Sequence, residues 1–269
     1  MRVVEVDVPP ADAELATDRL WSAGATAIEE RDVGGRLVYR TILATDDDVS
    51  LTRLGPLPDT WTVRFVDEPD APSEAWRDFA ETIVVNDELE IRPAWLAGGD
   101  GSGRVVVAIE PAGSFGLGDH PTTRLSAGAV WDVVRSGDEV LDVGCGSGVL
   151  SIVALQRGAR RAVAIDVAEA AREATVQNAR SNGVADRVDA SCRPLADIDG
   201  TFDVVVANIL APTLVELADD LCRTLAAEGT LIISGILAGR HDHVLAALGP
   251  LRVIETVECD GWAAVTLRR

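Results

Sequence analysis

The chain of 269 residues contains no lysine: its 24 basic residues are all arginine, against 44 aspartates and glutamates, for a net charge of −20. Acidity on this scale repels nucleic-acid phosphates and favours a basic partner, so direct nucleic-acid binding is not expected. Cysteine is also scarce. Cys145, Cys192, Cys222 and Cys259 lie far apart with no CxxC pair, which excludes a zinc or disulfide framework legible from spacing and implies reduced thiols. Of the three histidines, His241 and His243 are two residues apart and face different directions on a helix, so no metal site is expected. No apolar run reaches the roughly 18–20 residues of a membrane span. The opening MRVVEVDVPP carries charge from its second residue and lacks an apolar core before a small-residue cleavage site. A cytoplasmic monomer without membrane association is the expectation.

Length allows one to two domains with sizeable cores. Residues 1–66 read as a small α+β unit. Arg2–Val8 alternates as a strand, Ala11–Ala23 has helical spacing, and Ala27–Arg31 with Arg36–Leu43 forms a hairpin around Gly34-Gly35. A short helix near Asp46–Leu54 and a strand at Trp61–Val66 complete a βαββαβ order, the ferredoxin-like arrangement. Residues 67–97 read as a linker and connecting segment, opened by the acidic DEPDAPS stretch. From there to residue 269 strands and helices alternate, predicting an α/β domain with a Rossmann-like, mostly parallel sheet closed by an antiparallel hairpin. One helix is predicted over Pro212–Ala226 and one strand over Thr230–Ser234.

The run Val140-Leu-Asp-Val-Gly-Cys-Gly-Ser-Gly-Val149 is a strand entering a glycine turn and then a helix. Such a turn binds either a dinucleotide or S-adenosylmethionine. A dinucleotide fingerprint requires G-x-G-x-x-G. Here Gly144, Gly146 and Gly148 are spaced G-x-G-x-G, and Val149 stands in place of the third dinucleotide glycine. Asp166, at the end of the next strand, is at the distance where a carboxylate meets a ribose hydroxyl. Asp142 lies inside an apolar strand, where a carboxylate suits the sulfonium and ammonium of S-adenosylmethionine and would repel phosphates. Cys145 has no histidine near it in sequence and reads as a small loop residue, not a nucleophile.

Two further segments stand out. Glu110–Arg124 (EPAGSFGLGDHPTTR) precedes a helix and reads as a flap: Phe115, Gly116 and Gly118 supply an aromatic among flexible glycines, and Thr122 or Thr123 offers a hydroxyl at the helix start. Val204–Ala211 leaves an apolar strand at Asn208, at the carboxyl end where ligands of doubly wound sheets bind. An asparagine there is similar to the first residue of Asn-Pro-Pro-Tyr motifs, but Leu210 and Ala211 replace the aromatic that would stack a flipped base.

DVGCGSG, the FGxGxHPTT-like loop and VVVANIL together resemble the ribosomal protein L11 methyltransferases, the PrmA family. The resemblance continues through Gly235-Ile236-Leu237, the strand at Trp262, Trp76–Phe79 and Ile91–Trp95. It implies a class I S-adenosylmethionine-dependent methyltransferase in which Thr123, Gly144, Asp166 and Asn208 hold the cofactor or sit beside the transferred methyl. It also implies that the N-terminal domain captures a basic ribosomal protein, whose lysine ε-amines or N-terminal α-amine accept the methyl. Asn208 could then orient the amine, and His120 is a candidate proton acceptor. Ala112, Leu117 and Asp119 depart from the family pattern in the flap. They leave another protein or a small-molecule amine as the alternative acceptor.

Overall fold

The computed structural model describes residues 2–23, 25–43, 54–67, 81–96, 103–110 and 120–269. The chain divides into two units, Met1–Ala80 and Glu81–Arg269.

In the first unit, strands β1 (Arg2–Val8), β2 (Ala25–Val33), β3 (Arg36–Leu43) and β4 (Thr62–Asp67) form an antiparallel sheet in the order β2-β3-β1-β4. Its period-2 alternation separates two faces. Val4, Val6, Val8 and Tyr39 bury themselves with Ala16 and Leu20 of helix α1 (Ala13–Ser22). On the other face Glu29, Arg40, Glu5 and Arg64 stand opposite one another across all four strands. They pair in sequence, Arg40 to Glu5 at 3.0 Å and to Glu29 at 3.3 Å, and Arg64 to Glu5 at 3.4 Å. The order and α1 fit the ferredoxin-like arrangement; the helix expected near Asp46–Leu54 falls almost wholly outside the described residues.

The second unit begins with a small sheet of β5 (Ile83–Val84), β6 (Leu89–Pro93) and β7 (Val105–Ile109). Helix α2 (Pro121–Val133) leads into β8 (Glu139–Val143), followed by α3 (Val149–Arg157), β9 (Arg161–Ile165), α4 (Glu169–Ser181) and β10 (Val188–Ser191). Then come β11 (Phe202–Asn208), α5 (Ala211–Glu216), α6 (Ala218–Arg223), β12 (Leu225–Leu237), α7 (Asp242–Ala247), β13 (Arg252–Cys259) and β14 (Trp262–Arg268). Seven of these strands make one sheet, ordered β10-β9-β8-β11-β12-β14-β13. It is parallel from β10 to β12, and β14 inserts antiparallel between β12 and β13. The strand succession runs outward from β8 to β10 and then resumes at β11 on the opposite side of β8, which sets the topological switch point between β8 and β11.

Alternation along the parallel strands supplies two cores. Val140, Val204, Val206 and Ile232 face α2, α3 and the buried Leu89, Ile91, Val107 and Ile109 of β6 and β7. Leu141, Val143, Val205, Ala207, Leu231 and Ile233 face α5, α6 and α7. The single helix expected over Pro212–Ala226 is instead two. The backbone bends at Leu217 (φ −91°, ψ 3°), while Leu214, Ala218 and Leu221 all stay on the buried side. Leu225 and Ala226 already belong to β12, because Leu225 pairs with Phe202 at the start of β11.

The inner side of α4 sets hydrogen-bonded polar residues among buried alanines. The Asn178 amide donates to the carbonyls of Glu110 and Ser147, both at 2.9 Å, and accepts from the Glu110 N–H at 2.9 Å. One turn on, Asn182 accepts from Ala108 N–H at 2.9 Å and donates to the Ala108 carbonyl at 2.7 Å. Two side-chain amides thus stand in for a neighbouring strand along β7. In Asn178→Leu three backbone groups lose this partner. At roughly 1–3 kcal/mol for each buried group left unpaired, urea unfolding should register a loss on the order of 3–5 kcal/mol. A loss under about 1 kcal/mol would show that solvent replaces the amide.

Candidate functional site

The glycine loop closes over the end of β9. Gly144 and Cys145 donate backbone N–H groups to the Ile165 carbonyl at 2.9 and 3.1 Å. Gly144, Gly146 and Gly148 have φ of 73°, 53° and 79°, the left-handed region where a side chain is strained. Gly148 is the N-cap of α3 and has no side chain to cap with. Asp142 does this work from the preceding strand: its Oδ2 accepts from Ser151 N–H at 3.0 Å and Ser151 Oγ at 2.7 Å. A carboxylate at a helix start meets both the orphan N–H groups and the positive end of the dipole. Yet Asp142 is 1% exposed, and its Oδ1 is buried without a hydrogen-bond partner among the described residues. Burial pushes its carboxyl up to about 6, against the downward pull of the two Ser151 hydrogen bonds, with the Asp166 charge adding to the rise. Burial, and then the Asp142 charge, push the Cys145 thiol up as well, which suits a packing residue and not a nucleophile.

Three strand ends lie level beside this loop. Val143 pairs with Ile165 on one side and Ala207 on the other, so Asp166 and Asn208 flank Gly144 at about one strand spacing each, ~4.8 Å. Asp166 is fixed by backbone donors, Gly146 N–H at 3.0 Å on one oxygen and Ala168 N–H at 2.9 Å on the other. Val167 next to it is 98% exposed, an apolar surface beside a carboxylate. Asn208 ends β11 opposite Ser234 of β12, and no hydrogen bond of its side-chain amide occurs among the described residues. The chain then passes through Ile209 between two glycines. A Cβ on Gly144 would overlap Ile209 Cγ2, and a Cβ on Gly235 would fall on the Ile209 carbonyl, 2.7 Å from its carbon.

Helix α2 enters the same rim from above. It descends to the start of β8, so its first turn lies at the carboxyl ends of the strands. His120 caps it, with Nδ1 accepting from Thr122 N–H at 3.3 Å and 2.8 Å from Thr122 Oγ1. The imidazole meets Trp262 edge to face, centroids 4.9 Å apart. Arg124 reaches the same hairpin, with its guanidinium 3.3 Å from Asp260. Thr123 and Ser126 are buried, and neither hydroxyl has a hydrogen-bond partner among the described residues.

The residues read from sequence as candidates therefore gather at one rim: Asp142, Gly144, Gly146, Gly148, Asp166, Asn208, His120 and Thr123. Phe115, Gly116 and Gly118 lie outside the described residues, as do Ala112, Leu117 and Asp119. Sequence reasoning missed Ile209, Val167, Ser151 and the conformational role of Gly235. An isolated glycine within a strand marks a bulge or a close backbone approach, and Gly235 is both.

A buried unpaired oxygen on Asp142, beside a glycine loop at the switch point, and another on Thr123 in the first turn of α2 fit a ligand that brings its own cation and hydrogen-bonding groups. Comparison with known proteins agrees. The family model described as "Ribosomal protein L11 methyltransferase (PrmA)" matches residues 58–269. A ribosomal protein L11 methyltransferase of Chromohalobacter salexigens is 34% identical over 98% of this chain and 97% of its own length. That of Citrifermentans bemidjiense is 40% identical over 72% of this chain, a match spanning 65% of the relative, just under two thirds. The crystal structure of ribosomal protein L11 methylase from Lactobacillus delbrueckii subsp. bulgaricus superposes with a TM-score of 0.65 at 30% identity, covering 70% of this chain and 98% of that one. The chain belongs to the ribosomal protein L11 methyltransferase (PrmA) family of class I S-adenosylmethionine-dependent methyltransferases.

Proposed function

We propose that this chain transfers methyl groups from S-adenosylmethionine to lysine ε-amines or the N-terminal α-amine of ribosomal protein L11, with the first unit capturing that protein. Names borne by the relatives support the acceptor. The observation that carries an amine acceptor is Asn208, held level with the cofactor loop with its side-chain amide unbonded among the described residues. Bound S-adenosylmethionine supplies an electrophilic methyl on a sulfonium.

The chain's own residues do the rest. Asp166, already oriented by two backbone N–H groups, keeps lone pairs for ribose hydroxyls, and exposed Val167 offers apolar cover for a base. Asp142 Oδ1 and Thr123 Oγ1, buried without partners among the described residues, would hold the amino-acid end. The acceptor lysine must lose a proton, which at pH 7 costs roughly 4–5 kcal/mol from a reference pKa near 10.4. Desolvation in the crevice lowers that cost. The Asn208 carbonyl then orients the neutral amine, and positioning of the two reactants supplies about 7–11 kcal/mol. His120, whose Nδ1 is engaged with Thr122, contributes chiefly by fixing the turn that presents Thr123.

The charge balance fits the partner. A chain of net charge −20 attracts a basic protein before contact. With no lysine of its own, every methylated lysine in an assay belongs to the substrate.

Purified chain, labelled cofactor and ribosomal protein L11 should yield methylated L11 by mass spectrometry. Transfer to metabolite amines in preference to L11 would refute the proposed acceptor. Asp166→Ala should weaken cofactor binding at least tenfold, as expected for about 1.4 kcal/mol or more of lost ribose hydrogen bonding, measured by calorimetry. Asn208→Ala should instead lower kcat by tenfold or more, on the order of an orienting contact, with cofactor Kd little changed. Equal loss of both properties in Asn208→Ala would contradict this division.

The raised Asp142 carboxyl has a further consequence. Its folded pKa of about 6 exceeds the ordinary aspartate value of 3.8, so the folded chain holds this proton more tightly than the unfolded one. The destabilisation is complete above pH 6 and disappears below about pH 4. Between pH 4.5 and 7.5, Asp142→Asn should therefore gain on wild type by about 2 kcal/mol in unfolding free energy, while losing cofactor affinity. A stability difference independent of pH would show that Asp142 does not titrate in this window.

A further inference from the structure

We infer that Ile209 is a positioning residue: its β-branch seats on Gly144 while its backbone lies on Gly235, and this seating sets where Asn208 stands relative to the cofactor loop. The inference rests on the proposed role of Asn208. Three observations carry it. Ile209 Cγ2 occupies the space that a Cβ on Gly144 would take. The Ile209 backbone lies on Gly235, where a Cβ would strike its carbonyl oxygen, carbonyl carbon and nitrogen together. Both glycines have positive φ, 73° and 83°, so at neither position does a side chain compete with Ile209 for the space. Ile209 thus touches the loop that begins the cofactor site and the strand that supports the acceptor site.

The direction of the side chains follows from the strand. Val205 and Ala207 face the α5–α7 core, and Ile209 packs partly against that same core. Alternation sends Asn208 to the opposite face, with Val204 and Val206. Seating Ile209 on one side therefore aims Asn208 on the other. A β-branched side chain has its Cγ2 tied to the backbone through one stiff torsion, so it transmits position where a flexible chain would not. What matters is the branch, not the volume.

That distinction gives the test. Ile209→Val and Ile209→Thr keep the branch, Ile209→Leu keeps the volume without it, and Ile209→Ala keeps neither. Four readouts apply: kcat for methyl transfer to L11, S-adenosylhomocysteine Kd by calorimetry, Tm, and the side-chain amide resonances of Asn208 by NMR. Val and Thr variants should retain kcat to within a few-fold. Leu and Ala variants should lose roughly ten- to hundredfold, the scale of a sub-ångström to ångström misplacement, with Kd moving much less. The Asn208 amide resonances should shift in Leu and Ala and stay near wild type in Val and Thr. If activity instead ranks by side-chain volume in step with Tm, or if Leu leaves the Asn208 resonances in place, Ile209 is ordinary packing and the inference falls. Should Leu fail to fold, the comparison of Thr with Ala carries the same decision. Wild-type chain that transfers nothing to L11 would count against the proposed acceptor alone, because the Asn208 resonances still report on the seating of Ile209.

Discussion

The parallel pairing of β8 with β11 is the line on which this catalytic unit depends. Val206 lies beside Asp142 and Ala207 beside Val143, yet the chain reaches these two neighbours from opposite directions of travel through the sheet. The loops leaving β8 and β11 therefore part from each other, and a crevice opens between them without any residue being sacrificed to make it. Every polar feature of the rim is arranged around that parting. Asp142 and Asn208 project to the face shared with α2 and α3, and the intervening residues Val143 and Ala207 seal the opposite core. Asp166, one strand farther along, takes its place from the pairing of Val143 with Ile165.

Helix α4 supports the crevice from one side. Beside its buried Ala171, Ala174 and Ala179, it presents Thr175, Asn178 and the following Asn182, which hydrogen-bond to backbone groups of its neighbours. Thr175 Oγ1 donates to the Gly146 carbonyl at 3.2 Å, and its side chain leaves no room for a Cβ on Gly148. Hydrogen bonds are directional where apolar contacts slide, so this face fixes the loop in position as well as holding it in place. The contrast with the unpaired oxygens of Asp142 and Thr123 is informative. The side chains of Thr175, Asn178 and Asn182 all have partners, whereas Asp142 Oδ1 and Thr123 Oγ1 have none among the described residues.

Much of this was legible before any coordinates. The alternation of strand and helix periodicities placed most elements of the second unit within a few residues, and the G-x-G-x-G spacing marked the glycine turn that joins β8 to α3. The errors have physical causes. Pro212–Ala226 shows helical spacing throughout, but a bend at Leu217 preserves that spacing while breaking the helix. Asp142 was recognised as an odd residue, yet its partner Ser151 sits nine positions away across the loop, a distance that no periodicity connects. His120 holds Thr122 through Nδ1, a capping contact that its position in the sequence does not announce. Ile209 carried no signal at all, since a branched aliphatic after a strand is ordinary until the two glycines that make room for it are known.

The bulge at Gly235 makes β12 count its residues. Before it, Leu231 and Ile233 point into the α5–α7 core; after it, Ile236 does, so the alternation has skipped one step. The strand behaves as a message with a single frame-shift built in. Adding or removing one residue there would leave every side chain chemically unchanged and turn those beyond the insertion to the wrong face. One aliphatic residue exchanged for another along β12 would cost little, but a change in the number of residues from Thr230 to Trp262's partner Leu237 would misplace the far end of the strand. In this stretch length is under tighter constraint than identity, and the glycine is the mark by which that length is kept.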